Sequence, residues 1–222
     1  MRAFLSRMLF GGSCYVCRGA ARELLCDACD ADLPRLSDVR CPRCALASPG
    51  GAVCGRCLAD SPAYDGTSAA LAYGFPADAL VHALKFRGEL ALAGLLGRLL
   101  FQKTSAQTID LVIPVPLSPR RLRERGYNQA VEIARALGRP IDLALCVRER
   151  DAAPQMELPY AERRKNIRGA FRCTRPLDGE TVAVVDDVMT TGATLEEVAA
   201  VLKKAGAGRV VNWVVARTEP PG

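Results

Sequence analysis

The sequence predicts an α/β fold, a parallel sheet flanked by helices, preceded by a small N-terminal module that metal ions stabilise. Continuous apolar segments alternate with helical patterns after residue 66, which is typical of parallel strands covered on both faces by helices. Four C-x-x-C pairs within residues 14–57 predict the metal-binding module. A chain of 222 residues accommodates both parts, and we expect domains at residues 1–60 and 61–222.

The elements of the second domain follow from local patterns in chain order. Residues 61–66 form a linker with turn signals. Apolar residues recur at helical spacing in the last predicted helix and give it one buried face: Leu195, Val198, Leu202 and Ala205. Predicted strands lie near 68–75 and at 110–116, 143–148, 181–187 and 209–217, and predicted helices lie at 77–86, 90–101, 128–138, 160–168 and 194–206.

Eight of the ten cysteines form the four C-x-x-C pairs. Two thiolates separated by two residues bind one ion from a single tight turn, and a tetrahedral Zn²⁺ needs two such turns. The pairs therefore predict two structural Cys₄ zinc sites, with the ligands Cys14, Cys17, Cys26, Cys29, Cys41, Cys44, Cys54 and Cys57. The short loops favour sequential pairing of neighbouring turns, while a cross-braced arrangement, first with third and second with fourth, stays open.

Redox-active pairs or disulfides are the alternative interpretation of these cysteines. Four such pairs in so short a segment of a chain without a signal peptide are poorly explained by it. A module of about 60 residues with few large apolar side chains buries too little surface to fold alone. We therefore expect bound metal to supply its folding free energy.

The composition indicates a globular protein, because half of the residues are apolar. The formal net charge is +6, but eight zinc-bound thiolates and two Zn²⁺ ions would reduce it to +2, so it says little about nucleic acid. The longest apolar segment, residues 90–101, contains Arg98 and is too short to span a bilayer, and residues 1–14 lack a signal-peptide pattern. We expect a soluble, cytoplasmic protein without membrane insertion.

The segment TVAVVDDVMTTGATLEE, residues 181–197, carries an acidic pair, Asp186 and Asp187, between a buried strand and a helix. In open α/β sheets ligands bind beyond the carboxyl ends of the strands. Gly192 and the small Ala193 let backbone N–H groups approach an anion, and the helix N-terminus favours negative charge. The carboxylates repel phosphate and prefer hydroxyls or a divalent metal, so the segment fits a sugar phosphate. The alternative is that both aspartates cap the loop and the helix.

The segment VAVVDDVMTTGAT resembles the 5-phosphoribosyl-1-pyrophosphate (PRPP) signature of type I phosphoribosyltransferases. By that resemblance the acidic pair would bind the ribose 2′- and 3′-hydroxyls, residues 190–194 would hold the 5′-phosphate, and Mg²⁺ would accompany PRPP. Ala193 stands where many members carry glycine. The implied PRPP-binding residues are Asp186, Asp187, Val188, Met189, Thr190, Thr191, Gly192, Ala193 and Thr194.

The resemblance extends over most of the chain. The segments VPLSPRRLRERGYNQA (115–130), PQMELPYAERRKNIRGAF (154–171) and ALKFRG (83–88), with the cysteine pairs before them, are similar to the ComF family of competence-associated proteins. That family joins an N-terminal double zinc ribbon to a type I phosphoribosyltransferase domain and is linked to DNA uptake during natural transformation. The implied partners are PRPP, single-stranded DNA and other DNA-uptake proteins.

Two basic clusters accompany these segments. Arginine presents a fork of donors that suits phosphate groups, although a solvated helix face is the alternative for either cluster. Arg120 and Arg121 are the candidates near the leaving pyrophosphate, and with Asp186 and Asp187 they form the candidate catalytic set. Candidates for phosphate or DNA contact are Lys85, Arg123, Arg125, Arg163, Arg164, Lys165 and Arg168.

Two functions are compatible with these patterns. The first is a PRPP-dependent glycosyltransferase, which moves the pentosyl group to an unknown acceptor through positioning and charge stabilisation, with no covalent nucleophile. The second is a non-catalytic accessory protein that binds single-stranded DNA and keeps PRPP as a regulatory ligand or retains only a vestigial site. The sequence names no acceptor and leaves open whether PRPP is turned over.

Overall fold

The computed structural model of the protein describes residues 12–150 and 167–219. Its strands are β1 (Gly12–Ser13), β2 (Ala20–Ala21), β3 (Gly66–Ala72), β4 (Leu111–Pro114), β5 (Cys146–Arg148), β6 (Phe171–Cys173), β7 (Thr181–Met189) and β8 (Arg209–Arg217). Its helices are α1 (Asp27–Ala31), α2 (Gly55–Ala59), α3 (Ala77–Phe86), α4 (Ala91–Thr104), α5 (Pro119–Arg125), α6 (Gln129–Arg135) and α7 (Ala193–Lys204), with a 3₁₀ turn at Pro49–Gly51.

A four-stranded parallel sheet in the order β3-β8-β7-β4 forms the centre of the fold. Side chains along the central strand β7 alternate between two cores. Ala183 and Val185 belong to the core that contains residues of α3, α4 and α6, while Val182 and Val184 belong to the core that contains residues of α7. All four residues are fully buried, which explains the continuous apolar run. The predicted α/β fold with a parallel sheet is confirmed.

The cysteine-rich segment is divided between these two cores. Cys14 and Cys29 belong to the core on the α4 face of the sheet, and Cys41, Cys44 and Cys57 belong to the core on the α7 face. The two halves of the segment therefore pack against opposite faces of the sheet. The domain division at residue 60 stays a prediction.

The chain between these halves covers the open edge of β3. The backbone N–H of Leu36 donates to Ala70 O at 3.0 Å, and the N–H of Ala72 donates to Pro34 O at 2.7 Å. An uncovered edge strand exposes unpaired N–H and C=O groups, and this antiparallel bridge pairs those of Ala70 and Ala72 at the carboxyl end of β3.

The predicted strand at 143–148 is shorter and pairs differently. Only Cys146–Arg148 is a strand, and it pairs antiparallel with β6 outside the parallel sheet. Upstream, Ile141 makes a single parallel bridge with Val112, and the carboxylate of Asp142 then accepts hydrogen bonds from the N–H groups of Ala144 and Leu145, both at 2.9 Å. This local turn directs the chain away from β4 after one bridge.

The other predicted elements agree with the structure within a few residues. The helix predicted at 77–86 and the strand predicted at 209–217 have the observed bounds. The helix predicted at 160–168 falls almost wholly outside the described residues. Within the part of the chain that the structure describes, no helix has both the length and the apolar character needed to cross a membrane.

Candidate functional site

The cysteines form two clusters in sequential order. Cys14, Cys17, Cys26 and Cys29 make the first cluster, and Cys41, Cys44, Cys54 and Cys57 make the second; within each, the sulfur atoms lie within 4.8 Å of one another. Zn–S bonds of about 2.3 Å place sulfurs about 3.8 Å apart in a tetrahedron. The Cys17–Cys26 and Cys44–Cys54 sulfur pairs are 3.7 and 3.6 Å apart. The sequential prediction is confirmed, and the donor set fits a structural zinc ion in each cluster.

Backbone donors prepare one thiol of each cluster to ionise, the form in which sulfur binds zinc. Burial raises the pKa of Cys14, but hydrogen bonds from nearby backbone N–H groups outweigh it and lower the pKa to about 6. The same balance lowers the pKa of Cys41 to about 7. The N–H of Cys54 is one of these donors, 3.3 Å from the Cys41 sulfur.

The sequence predicted the acidic pair at the end of β7, but the pair lies within the strand, because Val188 and Met189 continue to pair with β8. The neighbouring strand β4 ends at Pro114, opposite Val185. Asp186 and Asp187 therefore lie just beyond the last residue of β4, near the carboxyl end of that neighbouring strand. This is the position at which open parallel sheets bind ligands.

A lysine from α3 holds one carboxylate of the pair. The Lys85 Nζ lies 2.8 Å from Asp187 Oδ1, and Asp187 is only 3% exposed. The other oxygen, Oδ2, is buried and has no hydrogen-bond partner among the described residues. Burial lowers the pKa of Lys85, but attraction to Asp187 outweighs this effect and raises the pKa overall.

Asp186 is half-buried beside this ion pair. Its Oδ1 accepts a hydrogen bond from the backbone N–H of Asp187 at 2.9 Å. Burial and then repulsion from the Asp187 carboxylate raise the pKa of Asp186 to about 7, while the charges of Lys85 and Arg125 act in the opposite direction. At neutral pH this carboxyl group is therefore close to its titration midpoint.

The loop after β7 turns at a glycine directly before α7 begins. Gly192 has φ 86°, a left-handed conformation that favours glycine, and α7 begins directly after it. A Cβ atom at this position would lie 2.7 Å from the Met189 Cε and 3.4 Å from the Tyr64 hydroxyl. The loop thus leads into the N-terminus of a 12-residue helix, which favours an anion.

Of the predicted basic residues that the structure describes, two lie near the acidic pair. Lys85 contacts it, and Arg125 is close enough to affect Asp186 while its guanidinium lies 5.4 Å from the centre of the Phe86 ring. Arg120 is exposed on α5 and pairs with Glu124 at 3.0 Å. Arg121 is half-buried, and Arg123 and Arg168 are exposed. Arg163, Arg164 and Lys165 lie outside the described residues.

Sequence reasoning missed two arginines that contact the loop. Arg56 lies between the ligands Cys54 and Cys57, and its Nη2 donates to Thr191 O at 2.8 Å. Arg217 ends β8 and is 1% exposed, with its Nη1 2.7 Å from Met189 O. The available signal for Arg217 was a charged residue at the end of an otherwise apolar strand; Arg56 gave no signal beyond its place between two ligands.

Comparison with known proteins relates both parts of the chain to described domains. Residues 5–58 match the double zinc ribbon domain, and residues 92–219 match the phosphoribosyl transferase domain. The DNA utilization protein YhgH of Escherichia coli (strain K12) is 33% identical, with 93% of this chain and 97% of the relative covered. Competence protein F of Haemophilus influenzae is 31% identical (94% and 98% covered), and competence protein ComFC of Bacillus subtilis is 26% identical (88% and 85%).

Proposed function

We propose that this chain, which belongs to the ComF family of competence-associated proteins, binds PRPP with Mg²⁺ through residues 186–194. We further propose that it acts in the handling of DNA during natural transformation, as the names of its relatives suggest for those proteins. Transfer of the pentosyl group to an acceptor is the proposed chemistry, and the acceptor is not assigned.

The carboxylate of Asp187 is the observation that carries this proposal. One of its oxygens is held by Lys85, while the other is buried without a partner among the described residues. Buried acceptors are almost always hydrogen-bonded, so this oxygen is suited to a donor from a ligand. A ribose hydroxyl is such a donor. The loop that follows β7, in which Gly192 has a left-handed conformation, suits the phosphate of the same ligand.

The proposed roles follow from the chemistry of each group. Asp186 and Asp187 accept hydrogen bonds from the ribose hydroxyls and orient the sugar, and the loop N–H groups with the start of α7 bind the 5′-phosphate. Carboxylate oxygens also suit Mg²⁺, which supplies neutralisation of the pyrophosphate charge when bound. Arg120 and Arg121 are proposed to stabilise the leaving pyrophosphate from α5.

Calorimetric titration of the zinc-loaded protein with PRPP and Mg²⁺ tests the site. We expect the wild type to bind and the variant Asp186→Asn/Asp187→Asn to lose affinity by about 100-fold, because two hydrogen bonds to charged acceptors are weakened. Asp178→Asn, an exposed position just before the amino end of β7, is the control and should bind like the wild type. A folded wild type that does not bind PRPP would refute the proposal.

The raised pKa of Asp186, about 7, predicts that PRPP affinity depends on pH. A ribose hydroxyl donates to the ionised carboxylate, so protonation competes with binding, and affinity is nearly full at pH 8 and falls as the pH decreases through 7. Between pH 8 and pH 6 we expect affinity to fall by about tenfold. Asp186→Asn should bind more weakly and lose most of this pH dependence. The comparison distinguishes titration of the Asp186 carboxyl from titration of the PRPP phosphates. The same pH profile in both proteins would contradict the assignment.

Single-stranded DNA binding is the second proposed function, and exposed aromatic rings favour it. Phe75, after β3, is 73% exposed, and Phe86, at the end of α3, is 56% exposed beneath the guanidinium of Arg125. Phe75 follows the carboxyl end of β3, and Phe86 is next to Lys85, which contacts Asp187, so we infer that both rings are near the carboxyl ends of the strands, where bases could stack beside positive charge.

Fluorescence anisotropy with a labelled oligothymidylate tests this surface. We expect affinity that falls steeply with salt, a loss of about tenfold in Phe86→Ser, and little change in Asp186→Asn. Phe101→Ser removes an exposed ring from α4 and is the matched control. A wild type without affinity even at low salt would exclude the DNA-binding function.

A further inference from the structure

One buried guanidinium joins the second cysteine cluster to the loop at residues 190–194. The Nε of Arg217 donates to Cys44 O at 2.8 Å, and its Nη1 donates to Met189 O at 2.7 Å and also to Thr190 O. Cys44 is a ligand of the second cluster, while Met189 and Thr190 mark the end of β7 and the start of the loop. Three carbonyl groups from two distant segments are therefore held by one side chain.

A second set of contacts fastens the rest of the loop to the same segment. Arg56, between two ligands of the second cluster, donates from Nη2 to Thr191 O at 2.8 Å. Further along, the N–H of Ala63 donates to the carboxylate oxygens of Glu196, in the first turn of α7, at 3.0 and 3.1 Å. The chain that leaves the second cluster thus contacts the loop and the helix that follows it.

These contacts fix the direction in which the loop presents its N–H groups. In a planar trans peptide the C=O and the following N–H point in opposite directions. The carbonyls of Met189, Thr190 and Thr191 point to Arg217 and Arg56, so the N–H groups of Thr190, Thr191 and Gly192 point away from the arginines. Phosphate-binding loops act through such aligned N–H groups.

The charge of the second cluster also favours this arrangement. Four thiolates around Zn²⁺ carry a net charge of −2, which attracts the guanidinium groups of Arg217 and Arg56. Arg217 is 1% exposed, and its hydrogen-bond partners among the described residues are four backbone carbonyls and no carboxylate. A negatively charged cluster next to it therefore offsets part of the cost of burying this cation.

The first cluster provides an internal comparison. Cys14 and Cys29 belong to the core on the opposite face of the sheet, with Leu80 of α3 and Leu96 of α4. Any effect that is specific to the loop should therefore depend on the second cluster and its arginines, while general loss of stability should follow from either cluster.

We propose that Arg217 and Arg56 are positioning residues through which the second cysteine cluster controls the loop, so that metal in that cluster, and not in the first, is required for the loop to bind phosphate. This inference rests on the proposed function because it takes the phosphate of PRPP as the ligand. It makes the zinc ribbon a regulator of the sugar-phosphate site.

The experiment compares Cys54→Ser, Arg217→Met and Arg56→Ala with Cys26→Ser, a ligand of the first cluster. Zinc content, PRPP affinity in the presence of Mg²⁺, and hydrogen exchange of the amides of residues 189–195 without ligand are measured for each. We expect about tenfold weaker PRPP binding and faster exchange in the first three variants. Cys26→Ser should lose one zinc ion and keep both the PRPP affinity and the exchange rates of the wild type.

Arg217→Met and Arg56→Ala retain all eight ligands, so they decide the question if Cys54→Ser does not fold. Unchanged affinity and unchanged exchange in both would overturn the inference while leaving PRPP binding intact. Equal effects of Cys26→Ser and Cys54→Ser would also overturn it. If the wild type does not bind PRPP, the proposed function fails. Faster exchange of residues 189–195 in Arg217→Met than in the wild type, both without ligand, would still support the coupling between the cluster and the loop.

Discussion

Chelation of zinc is expected to unfold the cysteine-rich segment and to lower the melting temperature of the whole chain by more than about 10 °C. A structural Zn²⁺ contributes about 10–16 kcal/mol of apparent binding free energy in small zinc modules, which is comparable to the total stability of a domain. The effect should extend beyond the segment because buried cysteines of the two clusters belong to the two cores of the sheet.

Circular dichroism melts with and without a strong chelator measure this effect, with zinc content determined in parallel. Restoring a stoichiometric excess of zinc should return the melting temperature, which separates metal loss from irreversible damage. An unchanged melting temperature after measured loss of both ions would show that the clusters do not stabilise the fold.

Replacing Lys85 by methionine is expected to destabilise the protein by about 3 kcal/mol. The substitution keeps most of the side-chain volume but leaves Asp187, 3% exposed, without its cation. Asp186, whose pKa is already raised to about 7 by burial and by Asp187, would lose the opposing charge as well. An uncompensated buried charge is among the few causes of such large single-residue effects.

Lys103→Met is the matched control for this prediction. Lys103 Nζ also pairs with a carboxylate, Asp38 Oδ1 at 2.7 Å, but the side chain of Asp38 is 94% exposed, and the same Nζ donates to Leu36 O at 2.8 Å. Solvent screens the ion pair, so this change should cost only about 1 kcal/mol, mostly from the lost hydrogen bond to Leu36. Denaturant unfolding of both variants compares them directly. Equal destabilisation by the two substitutions would mean that the buried ion pair at Asp187 contributes no more to the free energy of unfolding than the exposed pair at Asp38.

The features predicted from sequence are those encoded by local patterns. The C-x-x-C spacing with short intervening loops favours sequential clusters, and the structure has them. The β7-loop-α7 unit was predicted with its acidic pair and its glycine because an apolar run, a turn and a helical pattern follow one another directly. Such signals need no knowledge of which distant segments meet.

The features that were missed depend on contacts between distant segments. Arg217 joins Cys44 to Met189, and nothing near any of these residues in sequence indicates the other two. The extension of β7 past the acidic pair depends on its pairing with β8, and the short β5 depends on the turn at Asp142. Lys85 was expected to contact phosphate; the structure places it on Asp187, and the phosphate contact stays a prediction.

Hydrogen exchange with and without PRPP and Mg²⁺ tests most directly whether residues 186–194 form the sugar-phosphate site. We predict slower exchange of the amides of residues 190–194 in the presence of PRPP, with inorganic phosphate giving weaker protection of the same amides. The exposed turn at Asp178, at the opposite end of β7, should be unaffected. Binding of PRPP without protection of this loop, or protection confined to another region, would contradict the account.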